Sequence, residues 1–148
     1  MTYFDSEMSL PNGPEANPGR RWAGQRFVLH REAEAQWVDA RLPGWTARRT
    51  GIAGATGGLA DVNVLKSAGP GAARFASHDA AILFTFVLEG RLTVDIEGGE
   101  EAGSHGVEEG DAFLVPAHGR ARYRADGPVE LLEVSMPGGG GAVTTTIF

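Results

Sequence analysis

The sequence has no cysteine among its 148 residues. Disulfide bonds, thiolate catalysis and cysteine-ligated zinc are therefore excluded. Basic residues are also few, because 13 Lys and Arg stand against 19 Asp and Glu and give a net charge of -6. A chain without a concentrated basic face is not expected to bind nucleic acid.

Long apolar runs are absent too. No stretch approaches the roughly 20 apolar residues that span a bilayer, so we expect no membrane partner. Residues 1–21 lack the basic start and apolar stretch of a secretory signal. A cytoplasmic location is the resulting expectation.

Turn-forming residues are plentiful: 22 glycines and 8 prolines are spread along the chain without a fixed period. Short β-type runs recur between them, which indicates an all-β sandwich or barrel. A helical turn is expected only at 31–36, which is rich in Glu and Ala. The predicted strands are 26–29, 36–39, 45–50, 59–66, 73–77, 82–88, 91–97, 112–115, 121–124 and 129–136.

Composition divides the chain into three parts. Residues 1–21 are rich in Pro and Gly and poor in apolar side chains, which predicts an arm that is flexible or docked on a partner. Residues 22–137 carry the predicted strands and form one domain. Residues 138–148 begin with four glycines and continue with β-prone residues, so this tail either pairs with a sheet edge or is disordered.

Two stretches of the central region have a recognisable pattern: residues 82–94, with the turn Leu88-Glu89-Gly90, and residues 110–117, with Gly110-Asp111 and Pro116. The first stretch resembles the first motif of the cupin superfamily, and the second resembles the start of that family's second motif. The resemblance covers about 59–137. It implies an RmlC-like jelly-roll, a double-stranded β-helix barrel of two antiparallel sheets, with extended N- and C-terminal arms. It also implies a homodimer.

The resemblance weakens at the positions that bind metal in the family. Counted from Gly90, the family's glutamate falls on Leu83, its second histidine on His78 and its first on Ala76. The histidine of the second motif falls on Ala121, or on Arg122 if one residue is inserted. Because Leu and Ala have no lone pair to donate, we expect no bound metal, with His78 the only retained ligand position. A divalent metal in a rebuilt site with His118 and an acid such as Asp79 is the alternative.

The substituted positions predict a pocket for a small organic ligand rather than an ion. The competing interpretation is that neighbouring side chains fill this space and leave no pocket. Two of the pocket residues, His78 and Tyr123, are the candidate catalytic acid–base pair. For His78 the alternative is a partly exposed residue at a strand end, bonded to Asp79; for Tyr123 it is a core residue bonded to backbone. The predicted pocket residues are Ala76, His78, Leu83, Thr85, His118, Ala121 and Tyr123.

Three functions are compatible with these features. The first is a metal-free cupin that binds a small molecule without further chemistry. The second is a cupin enzyme, either a metal-free acid–base catalyst of the isomerase or cyclase type or a metal enzyme with a non-standard site. The third is a packed structural module whose arms make an oligomer. No cofactor is predicted, since the sequence has no phosphate loop, nucleophile elbow or His-Glu-x-x-His helix.

Overall fold

The computed structural model describes residues 23–67, 69–70, 73–137 and 143–148. The predicted N-terminal arm and the four-glycine segment lie outside these residues. The described part contains a 3-10 turn at Glu32–Glu34 and one short helix, α1 (Ile52–Ala55). Its strands are β1 (Trp37–Asp39), β2 (Trp45–Arg49), β3 (Asp61–Ser67), β4 (Ala76–His78), β5 (Ala80–Glu89), β6 (Arg91–Glu97), β7 (Gly103–Glu108), β8 (Ala112–Leu114), β9 (Arg120–Ala125), β10 (Val129–Pro137) and β11 (Thr145–Ile147).

These strands form two antiparallel sheets. A six-stranded sheet has the order β1-β2-β3-β10-β5-β8, and a five-stranded sheet has the order β11-β4-β9-β6-β7. Strands that are distant in sequence, such as β3 and β10, are neighbours in the sheet, as in a jelly roll. The predicted all-β jelly-roll fold is confirmed.

The core fills one end of the space between the sheets. Leu65 on β3, Leu131 on β10 and Val87 on β5 occupy one cross-strand row and are at most 2% exposed. The five-stranded sheet contributes Val94 and Tyr123 to the same core. Side chains at alternate positions of β3 and β10 therefore point inward.

The next inward-facing row is polar. Asn63 on β3 pairs with Glu133 on β10, and Glu133 pairs with Thr85 on β5. Arg49 at the end of β2 lies opposite Asn63 on its other side. The interior thus changes from hydrocarbon to polar groups within one two-residue step along the strands.

Gly90 supports the tight turn between β5 and β6. Its φ is +82°, a conformation that favours glycine. A Cβ atom at this position would lie 2.4 Å from the carbonyl oxygen of Pro128. The glycine on which the motif was aligned is therefore required both by backbone conformation and by space.

The residues of the tail that the structure describes pair with a sheet edge. Strand β11 lies antiparallel to β4, and the Thr144 amide donates to Oδ1 of Asp79 at 2.7 Å. The guanidinium of Arg120 stacks on the ring of Phe148 at 3.6 Å. Of the two possibilities for this segment, edge pairing is the one observed.

The outward face of the five-stranded sheet holds a compact ion-pair cluster. Nε of Arg122 and Nε of Arg124 donate to Oδ2 of Asp95 at 2.8 and 2.6 Å, and Ser104 donates to Oδ1 at 2.6 Å. Hydrogen bonding from Arg124 and the other donors outweighs burial and holds the pKa of Asp95 well below its usual range. The cluster ties β6, β7 and β9 together.

Several sequence expectations were wrong in detail. Strand β7 was not predicted, because Gly103-Ser104-His105-Gly106 has little β propensity and is held by pairing with β6. Residues 26–29 form no strand, and the helical turn at 31–36 is reduced to the 3-10 turn. Helix α1 was also missed. No helix in the described ranges has the length and apolar character needed to cross a bilayer.

Candidate functional site

His78, which the motif spacing predicts to be the only retained ligand position, is held by backbone on both sides of its ring. It is 3% exposed. Nε2 lies 2.7 Å from the carbonyl oxygen of Val115, and the Ala80 amide donates to Nδ1 at 3.0 Å. Since a carbonyl only accepts, Nε2 carries the proton and Nδ1 is the acceptor. The ring is therefore neutral, and both nitrogens are occupied.

This arrangement corrects the sequence interpretation of His78. His78 does end β4, but it is buried and not partly exposed. It is also not bonded to Asp79, whose carboxylate accepts from the Thr144 amide instead. Burial lowers the pKa of His78, although the Val115 carbonyl opposes that shift. A metal ligand needs a free imidazole lone pair. The local geometry does not fit a cupin metal at this position.

The two alanines beside His78 do not open a pocket. Ala76 on β4 and Ala121 on β9 are direct cross-strand partners, 5% and 6% exposed. Both belong to the hydrophobic core cluster. Ala121 and Tyr123 border a small cavity of about 50 Å³, which has room for only a few waters. At this end of the barrel the apolar substitutions are packed by neighbouring side chains.

His118 does not reach the interior. It is exposed and lies in the turn after β8 with a φ of +68°. The contact with the His78 region is made by its backbone amide, which donates to the His78 carbonyl at 2.7 Å. In the part of the chain that is described, no group of three or more His, Asp or Glu side chains could hold a metal ion. The residues predicted for a rebuilt site are thus not brought together.

A large cavity lies at the polar end of the barrel. Its volume is about 1190 Å³, large enough for a drug-sized molecule, for which pockets of roughly 300–1,000 Å³ are typical. Of the predicted pocket residues, Leu83 lines it, whereas Ala76, His78, Thr85, His118, Ala121 and Tyr123 do not. The polar and charged side chains on its wall are Arg41, Arg49, Thr56, Asp61, Asn63, Glu133 and Ser135.

An ion pair stands on the inner wall of this cavity. Arg41 donates three hydrogen bonds to Glu133. Its Nε lies 3.2 Å from Oε1 and 3.1 Å from Oε2, and its Nη2 lies 2.9 Å from Oε2. The Glu133 side chain is 7% exposed and that of Arg41 is 20% exposed. Burial acts to lower the pKa of Arg41, but Glu133 more than offsets it, so that pKa is raised.

Tyr123 lies behind the ion pair. Its hydroxyl is buried beside Thr85 and Arg41 but forms no well-aligned hydrogen bond within the described residues. Burial is the main reason that the pKa of Tyr123 is raised, and the nearby Arg41 opposes the shift. The ring packs edge-on against Trp45 and Phe113. Thr85, 1% exposed, lies beside this group as the cross-strand neighbour of Glu133.

The predicted acid–base pair is not formed. No hydrogen bond joins His78 and Tyr123, because the His78 ring is saturated by Val115 and Ala80. The charged groups that line the large cavity include the pair of Glu133 and Arg41, which was not predicted. The sequence did contain a signal. Leu131, Glu133 and Ser135 occupy alternate positions of β10 and therefore share its inward face.

The comparisons with known proteins agree with this architecture. The model of the cupin domain family matches residues 65–135. Among solved structures, a polyketide cyclase from Streptomyces resistomycificus is 16% identical with a TM-score of 0.62, covering 74% of this chain and 79% of its own. An RmlC-like cupin from Shewanella frigidimarina is 15% identical with a TM-score of 0.59, covering 78% of this chain and 96% of its own.

Hydroxypropylphosphonic acid epoxidase from S. wedmorenis is 17% identical with a TM-score of 0.58. The alignment covers 74% of this chain but only 59% of the epoxidase. The search of curated proteins found no significant match. The matched domain model, the motif turn at Gly90 and the double-sheet barrel together identify the chain as a member of the cupin superfamily.

Proposed function

We propose that this cupin binds a small organic molecule in its large cavity and does so without a resident metal. The observation that carries the proposal is the cavity of about 1190 Å³, whose wall joins an apolar surface to charged and polar side chains. Ligand sites commonly have this composition, in which the apolar part supplies affinity and a few polar groups fix orientation. The backbone bonds of His78 support the metal-free part of the proposal.

A screen of small molecules with a blocked-cavity variant tests the proposal. A fragment library of neutral, anionic and cationic compounds is mixed with the protein, and binding is followed by ligand-observed NMR. Ala53 lies on α1 and lines the cavity, so Ala53→Phe places a ring in it. Ala112, exposed on β8 and away from the cavity wall, gives the matched control Ala112→Phe.

The expected result is a set of compounds that bind the wild type and Ala112→Phe but not Ala53→Phe. Circular dichroism of both variants checks that they are folded. If every compound that binds does so equally well to Ala53→Phe, the cavity is not the binding site and the proposal fails.

A metal-free acid–base enzyme is the second candidate. It is favoured by the Glu133 carboxylate, which lines the cavity in contact with Arg41, and by the buried hydroxyl of Tyr123 next to Arg41. Such a carboxylate can remove a proton from a bound carbon acid while Arg41 stabilises the resulting negative charge. Incubating the compounds found in the screen in D₂O tests this chemistry.

Mass spectrometry would then detect deuterium incorporated at a C–H bond. The wild type is expected to accelerate incorporation, and Glu133→Gln is expected to abolish the acceleration while keeping the shape of the side chain. Binding without any protein-dependent exchange would leave a binding protein and reject the enzyme.

A further inference from the structure

Arg49 is a cation on the cavity wall that has no partner among the described residues. It ends β2, is exposed, and lines the cavity. Within the described residues no carboxylate lies within 4.0 Å of its guanidinium, and it makes no hydrogen bond or ring contact there. Arg41 on the same wall differs, since Glu133 already neutralises it. Arg49 is therefore free to bind an anionic group.

Asn63 provides an unpaired acceptor directly beside it. Asn63 and Arg49 are cross-strand partners on β3 and β2. Nδ2 of Asn63 donates to Oδ2 of Asp61 at 3.0 Å, and because a carboxylate only accepts, this bond fixes the orientation of the amide. Oδ1 of Asn63 is then buried with no hydrogen-bond partner in the described residues.

A buried acceptor without a partner is unfavourable and uncommon in folded proteins. A ligand that brings a donor to Oδ1 of Asn63 removes that cost. Cross-strand partners have Cβ atoms about 5 Å apart, so one small ligand can reach both side chains. The Asp61 carboxylate, which accepts from Nδ2 of Asn63 and also lines the cavity, disfavours a second negative charge.

We infer, resting on the proposed function, that the cavity takes a small organic molecule with a single carboxylate and an adjacent hydroxyl or ammonium group. A 2-hydroxy or 2-amino carboxylate has this arrangement. Its carboxylate binds Arg49, and its hydroxyl or ammonium donates to Oδ1 of Asn63. The apolar side chains of Leu65, Leu83 and Ala47, which also line the cavity, receive the rest of the molecule.

The test compares probes that differ in one group. Mandelate has both the carboxylate and the hydroxyl. Phenylacetate lacks the hydroxyl, and mandelamide lacks the charge. Phenylglycine has an ammonium group in place of the hydroxyl, and phenylmalonate has a second carboxylate there. Equivalent sets on a methyl body and a polyhydroxyl body cover other ligand sizes. Dissociation constants are measured by NMR titration at low and high salt.

In at least one set, the hydroxy or amino monocarboxylate is expected to bind roughly tenfold more tightly than each of the other three types, the size of one additional charged or donor contact. Arg49→Gln should reduce its affinity to that of the neutral amide. Asn63→Ala should make mandelate and phenylacetate equal. Arg91→Gln, an exposed arginine on β6, is the control and should have no effect.

The outcomes separate this inference from the proposed function. If compounds sensitive to Ala53→Phe predominantly lack a carboxylate, or if monocarboxylate binding is unchanged in Arg49→Gln, the ligand class is wrong while cavity binding stands. If no compound in the screen or the probe sets binds in a way that Ala53→Phe prevents, both fail.

Discussion

Removing Glu133 should be far more damaging than removing a carboxylate from an exposed ion pair. Glu133→Ala leaves the guanidinium of Arg41, 20% exposed, without the carboxylate that takes three of its contacts. Breaking a buried pair from one side costs about 3–5 kcal/mol. Since one-fifth of the Arg41 side chain remains accessible, we expect the low end, about 3 kcal/mol of unfolding free energy.

Two variants bracket this value. Glu133→Gln keeps an acceptor for Arg41 but loses the charge, and should cost about 1–2 kcal/mol. The double variant Arg41→Met with Glu133→Leu removes both charges and should lie within about 1 kcal/mol of the wild type. Glu97→Ala breaks the exposed pair with Arg120, at 3.6 Å, and should cost at most about 0.5 kcal/mol.

Urea denaturation measures these differences. The fluorescence of Trp45, which is 7% exposed in the core, should report the transition, with circular dichroism as the second probe. For a chain of this size, 3 kcal/mol corresponds to a fall in Tm of roughly 6–12 °C. A cost below about 1 kcal/mol for Glu133→Ala, or a double variant less stable than Glu133→Ala, would refute the reasoning that a buried unpaired charge dominates.

Four further outcomes are expected. Gly90→Ala should lower the urea midpoint more than Gly98→Ala, because both residues have φ +82° but only Gly90 has a carbonyl in the place of the new Cβ, worth roughly 1–3 kcal/mol extra. His78 has a lowered pKa in the fold, so the unfolded chain binds its proton more readily, and stability should fall as pH drops below about 6.5. His78→Gln should flatten that dependence between pH 7.5 and 5.5, and His118→Asn, at an exposed αL turn, should retain it. Asp95→Asn should lower the midpoint at pH 7, with the difference from wild type shrinking below about pH 4 as the wild-type carboxylate loses its linked stability. Light scattering should give a homodimer, and a monomer at tens of micromolar would contradict the dimer that the family resemblance implies.

The barrel could be predicted because its signals are local. The Leu88-Glu89-Gly90 turn, the Gly110-Asp111 turn and the strand alternation between them depend only on neighbouring residues. The structure adds that Gly90 faces a carbonyl from a different turn, which explains why the glycine is needed there. The fold followed from these features, and the predicted jelly roll is the one observed.

The site could not be predicted in the same way because its contacts are distant in sequence. Arg41 and Glu133 are 92 residues apart, and His78 and Val115 are 37 apart. Strand pairing, and not the residues next to His78 in the sequence, decides which carbonyl accepts a hydrogen bond from its ring. Strand alternation alone also does not reveal that Asn63 and Glu133 are polar residues that point into the barrel.

The most direct test of this account is an anomalous difference map from crystals of protein purified without chelators. We expect no metal peak near His78, whose imidazole should be bonded to the Val115 carbonyl and the Ala80 amide. Any trapped organic molecule should lie in the cavity beside Arg49 and Asn63. A metal peak beside His78, coordinated by three or more protein atoms, would contradict it.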